Sequence, residues 1–348
     1  MTWFAWRQFR VQAFLVLGFL IAFAVFFAIT GPHYASLFND LTTCKAKGDC
    51  NSITNSLVNG QDTYFPFAQA FSLVLPGLLG MFWGAPLVSR ELESGTYRLA
   101  WTQGVTRRRW VLTKLAVVGG ASMLAAGLMS FMLTWWASPI DTLNANRFSS
   151  LIFDTSYIAP IGYAAFAFAL GMTAGVLWRR TVPAMATTLG VYIAVRVPFF
   201  HFVRPHLMTP VTRVRSLKNV GNIGFERTQN GVSFVAGDTN LRNALSFSSS
   251  IVGKHGGEVT QRWLGDHCRA LLLLGNPSPG KGVKVTTGIR PKAFTDCIDK
   301  IAVTFHQVLR YQPANRFWTF QWIEMSIFIV LALLLSAFSY WWVRRRIA

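Results

Sequence analysis

Charged residues are few in this chain, and acidic ones are the fewest. Of 348 residues, 14 are Asp or Glu against 33 Lys or Arg, for a formal net charge of +19. The charged share of 14% is well below the roughly 25% of soluble domains. Hydrophobic residues make up 52% and the mean hydropathy is +0.36, which excludes a soluble globular protein of this size. The long apolar runs hold no His–His–Glu set, no Ser/His/Asp grouping and no aspartate pair, so a membrane-embedded lipid enzyme has no visible machinery. The chain also lacks a continuous basic patch or an RNA-binding motif, which removes nucleic acid as a partner despite the net charge. The excess of Lys and Arg fits the positive-inside bias of membrane proteins instead.

What the chain does have is apolar length. A helix needs about 20 residues to cross the roughly 30 Å of bilayer hydrocarbon. Six runs qualify: Val11–Ile29, Phe67–Val88, Val111–Ala137, Tyr157–Trp178, Val182–Val203 and Phe317–Val343. The first exceeds the 7–15 apolar residues of a signal-peptide core and lacks a small-x-small cleavage site, so it reads as a retained span. Ahead of it, MTWFAWRQFR mixes aromatic rings with Arg7 and Arg10. This suits equally an interfacial helix or an aromatic belt.

Basic residues in the short loops set the orientation. Arg7, Arg10, Arg90, Arg98, Arg107 to Arg109, Arg179, Arg180 and Arg344 to Arg346 share one side when both termini are cytoplasmic. The opposite short loops hold Asp40, Asp49, Asp62, Asp141 and Asp154, with only Lys45, Lys47 and Arg147 as basic residues. The expected layout is an N-terminal segment with the first span (1–30), an outer loop (31–66) and the second and third spans with a cytoplasmic loop at 89–110 (67–137). An outer loop (138–156), the fourth and fifth spans (157–203), an outer domain (204–316) and the last span with a basic tail (317–348) follow. Long loops such as the outer domain largely escape the charge rule. Apolar stripes at helical spacing predict two helices there, Glu258–Leu274 and Pro291–Leu309, the second carrying Phe294, Cys297, Ile298, Ile301, Phe305 and Leu309 on one face.

Cys44, Cys50, Cys268 and Cys297 all fall outside the cytoplasm in this topology, where disulfides persist. Four cysteines allow three pairings. Cys44 with Cys50 closes a short loop containing Gly48, and Cys268 with Cys297 joins the apolar faces of the two expected helices. A zinc site from His267, Cys268, Cys297 and His306 lacks tight ligand spacing. Gly275–Gly282 fits G-x-x-x-x-G-K, but Gly282 stands where a phosphate loop needs Ser or Thr. Pro277 and Pro279 also remove two backbone donors. With no LSGGQ-like signature elsewhere, the chain is not an ATPase, and its energy source is a partner.

The stretch Arg90–Lys114, RELESGTYRLAWTQGVTRRRWVLTK, lies between the second and third spans. In the order Arg90, Glu91, Glu93, Gly95, Thr96, then a basic stretch ending at Lys114, it resembles the permease subunits of ABC type-2 exporters, in the actinobacterial form. The resemblance extends to the span layout and to YQPANRFWTFQWIE from Tyr311 to Glu324. It implies that this loop is a coupling helix docking on a cytoplasmic ATP-binding subunit. Tyr97, Leu99 and Trp101 would supply the apolar contact, and Arg98 the orientation. Two ATP-binding subunits carrying ATP and Mg would then serve a pair of permeases, either a homodimer or this chain with a paralogue. Members of that family often begin with a connecting helix, as the opening residues here would provide. From the residues alone, Glu91 and Glu93 also fit a solvated helix end, and Arg107 to Arg109 fit lipid-headgroup anchors.

Ionisable residues within spans are expensive and point to function. Arg196 in the fifth span and Glu324 in the sixth both fall within roughly 10–12 Å of the outer boundary. An interhelical ion pair, a contact for an anionic substrate and snorkelling of Arg196 to water are the three readings. The expected protein is thus an all-α plasma-membrane permease subunit with six transmembrane helices, a cytoplasmic coupling helix and an extracellular domain between the last two spans. It would export an amphipathic drug, antibiotic or lipid-like substrate and have no cofactor of its own. A non-transporting sensor or assembly factor that docks an ATPase is the alternative.

Overall fold

The computed structural model describes residues 2–45, 51–96, 106–144, 147–217, 222–228, 231–237, 241, 243–253, 257, 263, 266, 267 and 292–346. The chain separates into two compact units, Met1–Leu207 with Phe317–Ala348, and Met208–Arg316.

The first unit is helical. Its elements are α1 (Thr2–Lys45), α2 (Asn51–Leu79), α3 (Ala85–Ser94), α4 (Arg107–Lys114), α5 (Gly120–Asn144), α6 (Ser150–Thr155), α7 (Ala159–Trp178), α8 (Thr181–Pro198) and α10 (Phe317–Arg346). Single π-helical turns, Gly80–Gly84, Leu115–Gly119 and Phe199–Val203, join α2 to α3 and α4 to α5 and extend α8. Among the described residues, six helical stretches are long and apolar enough to cross a membrane, and the chain is a multi-pass membrane protein. Prolines interrupt several of them, at Pro32, Pro66, Pro76, Pro139 and Pro198. Neighbouring helices and local π turns satisfy the backbone groups that a proline frees, and the turn at Phe199 directly follows Pro198.

Helix α7 is the centre of the bundle. Sixteen of its twenty residues are buried, and α2, α3, α5, α8 and α10 all pack on it. Its Ala/Gly-rich sequence allows this, because small residues let helix backbones approach in a membrane. Helix α1 stands at the edge. It meets α5 and α2 through an aromatic cluster in which Phe27 stacks on Trp136 at 4.9 Å and the Trp136 indole donates to Thr30 Oγ1 at 2.9 Å.

Two expectations about the outer segments are corrected. The stretch 31–66 is mostly helix, because α1 runs on past Pro32 to Lys45 and α2 begins at Asn51. At 1.5 Å per residue α1 is about 66 Å long, over twice the hydrocarbon thickness. The opening residues, from Thr2, are likewise part of this one helix rather than a separate element. The stretch 138–156 is not a surface loop either: α5 continues to Asn144, and the end of α6 is buried at Ile152, Phe153, Asp154 and Thr155.

The second unit corrects the all-α assignment for this segment. It contains an antiparallel sheet of order β1–β5–β4, from β1 (Val211–Ser216), β4 (Leu245–Gly253) and β5 (Phe305–Gln312). A hairpin of β2 (Asn222–Thr228) and β3 (Gly231–Gly237) sets Phe225 opposite Phe234. Helix α9 spans Lys292–Thr304, so the predicted helix 291–309 ends at Thr304 and gives way to β5. Phe305 and Leu309 misled because a spacing of four fits both one helical turn and two strand pleats. The residue that marks the strand, Gln307, is polar yet fully buried, and its side-chain amide donates to Ser249 Oγ at 3.0 Å. Of the other expected helix, Trp263, Asp266 and His267 are described, all three helical.

Cys44 is disulfide-bonded. Cys50, Cys268 and the Gly275–Gly282 stretch lie outside the described residues, and of Cys297 only the backbone in α9 is described. Peptide mapping without reductant is expected to recover Cys44 linked to Cys50, which would staple the ends of α1 and α2, and Cys268 linked to Cys297. Thiols at these positions that react with an alkylating agent in unreduced protein would overturn the pairing.

Candidate functional site

Two sets of charged side chains stand out in the helical unit. The first set is built by three short accidents of sequence. Asp154 lies on α6, buried after the apolar Leu151-Ile152-Phe153 run. Glu324 lies on α10 and is fully buried. Arg196 and Arg204 lie eight residues apart, which an uninterrupted α-helix would splay by about 80°. The π turn between them takes up extra residue per turn, and both guanidinium groups reach the same two carboxylates.

Arg196 Nη1 lies 3.1 Å from Glu324 Oε1, and Arg196 Nη2 lies 3.2 Å from Asp154 Oδ2. Arg204 donates from Nε to Glu324 Oε2 at 2.9 Å and from Nη2 to Glu324 Oε1 at 2.8 Å, and also pairs closely with Asp154 Oδ1. The Tyr163 hydroxyl from α7 donates to Glu324 Oε1 at 2.6 Å. Aromatic faces enclose the set: Arg196 lies 3.5 Å from the Tyr163 ring centre, and Arg204 lies 4.2 Å from that of Phe153. Gln321, one turn before Glu324, fixes the frame by donating to the Phe153 carbonyl at 3.0 Å and accepting from the Ala159 amide at 2.9 Å. Two cations meet two anions, so the quartet is neutral. Such a set is tolerated in a low-dielectric interior only when each charge is paired and hydrogen-bonded. Beside it lies a cavity of about 300 Å³ between α2, α6 and α8, bordered by Arg196, Asp154, Tyr192 and His201 and otherwise mostly apolar.

The second set frames the segment that resembles a coupling helix. α3 ends at Gly95, whose φ of +73° is left-handed. A β-carbon there would touch nothing, so glycine is required by backbone conformation rather than by space. Thr106 then caps α4 by accepting from the Arg109 amide at 3.3 Å. Glu91 is buried and points inward. Its carboxylate lies 2.8 Å from Lys114 Nζ and accepts from the Trp110 indole at 2.9 Å. Lys114 also donates to the Leu87 carbonyl at 2.8 Å. The carboxylate of Glu91, assigned above to a partner or to solvent, is thus committed to an internal ion pair that joins α3 to α4. Glu93 is exposed but also engaged: its Oε2 accepts from the Thr181 amide at 3.1 Å and from Thr181 Oγ1 at 2.8 Å. Arg90 is exposed, its carbonyl accepting from Ser94 Oγ at 2.8 Å, and Ser94 Oγ lies 3.0 Å from Thr96 Oγ1. Tyr97, Arg98, Leu99 and Trp101 lie outside the described residues. Nearby, the carbonyls of Arg344 and Arg346 at the end of α10 accept from Arg107 at 3.2 Å and from Arg179 at 3.3 Å. Cations are favoured at a helix C-terminus for this reason.

The structure therefore brings Arg196 and Glu324 together, and adds Asp154, Arg204 and Tyr163, which the sequence reading did not assign to a site. Asp154 counted there only as an outer-loop charge. Its one visible signal was an acidic residue closing an apolar run.

A family model described as ABC-2 membrane transporter related matches residues 17–204, more than half of the chain. No curated protein and no solved structure shows a significant match.

Proposed function

Since the chain belongs to the ABC-2 membrane transporter related family, whose members are membrane components of transporters, we propose that it is the permease subunit of an ATP-driven exporter. In this reading the segment between α3 and α4 docks on a separate cytoplasmic ATP-binding subunit, present in two copies and carrying ATP and Mg. A second permease, identical or paralogous, completes the assembly in the plasma membrane. Both termini face the cytoplasm, which puts Arg90, Arg107 to Arg109, Arg179, Arg180 and Arg344 to Arg346 on the cytoplasmic side. The unit Met208–Arg316 then lies outside the cell.

The observation that carries the reading is the buried Glu91–Lys114 pair with Trp110. It clamps the two helices that flank the loop at their bases. A partner pressing on the loop would therefore move α3 and α4 as one piece rather than bend a tether. The hydrogen bonds tying the end of α10 to Arg107 and Arg179 extend this rigid inner rim. The mostly apolar cavity with a few charged groups at its edge suits an amphipathic substrate such as a drug, an antibiotic or a lipid.

Co-expression with a candidate ATP-binding subunit tests the docking. Replacing Leu99 and Trp101 with Asp puts charge into the contact expected to be apolar. The permease is expected to remain in the membrane while partner recovery on co-purification falls at least about tenfold, the loss of roughly 1.4 kcal/mol or more of binding. Unchanged recovery with unchanged transport would overturn the coupling assignment.

A further inference from the structure

We infer that Glu93 is a positioning residue that passes movement of the coupling loop to α8, and through α8 to the buried quartet. The inference rests on the coupling reading above and assigns its route through the bundle.

The argument starts at the N-terminus of α8. The first four amides of a helix have no partner within it. The residue that would cap them, Arg180, makes no side-chain cap hydrogen bond. Glu93 supplies the missing acceptor from another helix, taking both the amide and the hydroxyl of Thr181. A carboxylate suits this place, since the helix dipole leaves partial positive charge there. One turn back, Ser89 Oγ, which donates to the Ala85 carbonyl at 2.8 Å, also lies 3.3 Å from Thr181 Oγ1. Below that, Ala85 of α3 and Ala184 of α8 are both fully buried in one small-residue contact, which sets the two helices close together. The end of α3 and the start of α8 are therefore held at three successive levels.

Glu93 lies two residues before the left-handed Gly95 that ends α3. Displacement of the loop that moves the end of α3 therefore carries Glu93 with it. At its other end α8 presents Arg196, fifteen residues or about 22 Å from Thr181, and beyond the π turn Arg204. Both arginines share Glu324 of α10 and Asp154 of α6. A shift of α8 along or about its axis must then strain or re-pair the quartet, which links α6, α7, α8 and α10. Re-pairing of such a buried network would carry coupling between distant sites.

The test uses the complex with its ATP-binding subunit. Spin labels at Val191 on α8 and Leu334 on α10, both exposed, report the distance between these helices without nucleotide and with ATP and vanadate. In the otherwise unaltered complex the distance is expected to shift on trapping. In Glu93→Ala, measured on the complex that still forms, the shift is expected to vanish. Glu93→Gln keeps a carbonyl oxygen that accepts from Thr181 and should restore the shift, as should Thr181→Ser beside an inactive Thr181→Ala. A residue that merely supported the fold would not show this rescue pattern at equal thermal stability. A shift that survives in Glu93→Ala overturns the assignment of Glu93 and leaves the coupling reading standing. No shift in the unaltered complex overturns both.

Discussion

Replacing Glu324 with alanine is expected to destabilise the protein by about 3–5 kcal/mol, the usual cost of breaking a buried ion pair from one side. Glu324 is fully buried and accepts from Arg196, Arg204 and Tyr163. Its removal leaves Arg196 and Arg204 with Asp154 as their common acidic partner, an uncompensated positive charge within the bundle. Arg196→Ala strands the opposite charge and is expected to cost a similar amount. The double change Arg196→Ala with Glu324→Ala leaves Arg204 paired with Asp154, which is again neutral. It should therefore be more stable than either single variant, by a coupling of about 1–3 kcal/mol. Thermal unfolding of the four proteins in detergent measures this directly. A coupling indistinguishable from zero would mean that the arginines find other partners, and the quartet would not be a unit. Transport separates a second role: a double variant with restored stability and no transport would show that the pair does more than hold the fold.

Gly171→Ala is expected to destabilise, against the sign that helix propensity alone gives. In an ordinary helix this change is favourable by about 1 kcal/mol. Here α7 crosses the α2–α3 junction with the backbones in contact. A β-carbon at Gly171 would overlap the Gly80 carbonyl and meet the Ala85 nitrogen at 2.8 Å. At Gly84 it would meet the Phe168 carbonyl oxygen at 2.6 Å, and at Gly175 the Ala85 carbonyl oxygen, also at 2.6 Å. Backbone atoms cannot turn aside as a side chain can, so the helices must separate, at a cost of about 1–3 kcal/mol. Gly80→Ala, which would overlap the Ala167 carbonyl, should behave alike. Gly120→Ala is the control, because a β-carbon there meets nothing within 4 Å. It should leave the melting temperature unchanged or raise it. If Gly171→Ala and Gly120→Ala shift the melting temperature alike, the close crossing is wrong.

Hydrophobic length is a local property, and the six spans, their order and the place of the loop between the second and third were legible from it. So was the depth match of Arg196 and Glu324, because depth follows from counting residues along a helix. Legibility failed where two periods coincide or where a partner lies far off in the chain. Phe305 and Leu309 satisfied helix and strand alike, and only the antiparallel pairing of β5 with β1 and β4 decided for strand. Asp154 looked like a loop charge until α6 turned into the bundle. Arg204 joined Arg196 only because a π turn changed the rotation between them. Glu91 and Glu93, two residues apart in one motif and alike in chemistry, part company in space: one is buried against Lys114, the other is exposed and caps α8. A sequence fixes which residues can lie at a given depth and face. Which charges neutralise one another depends on helix rotation and crossing, and those are set by close packing around α7.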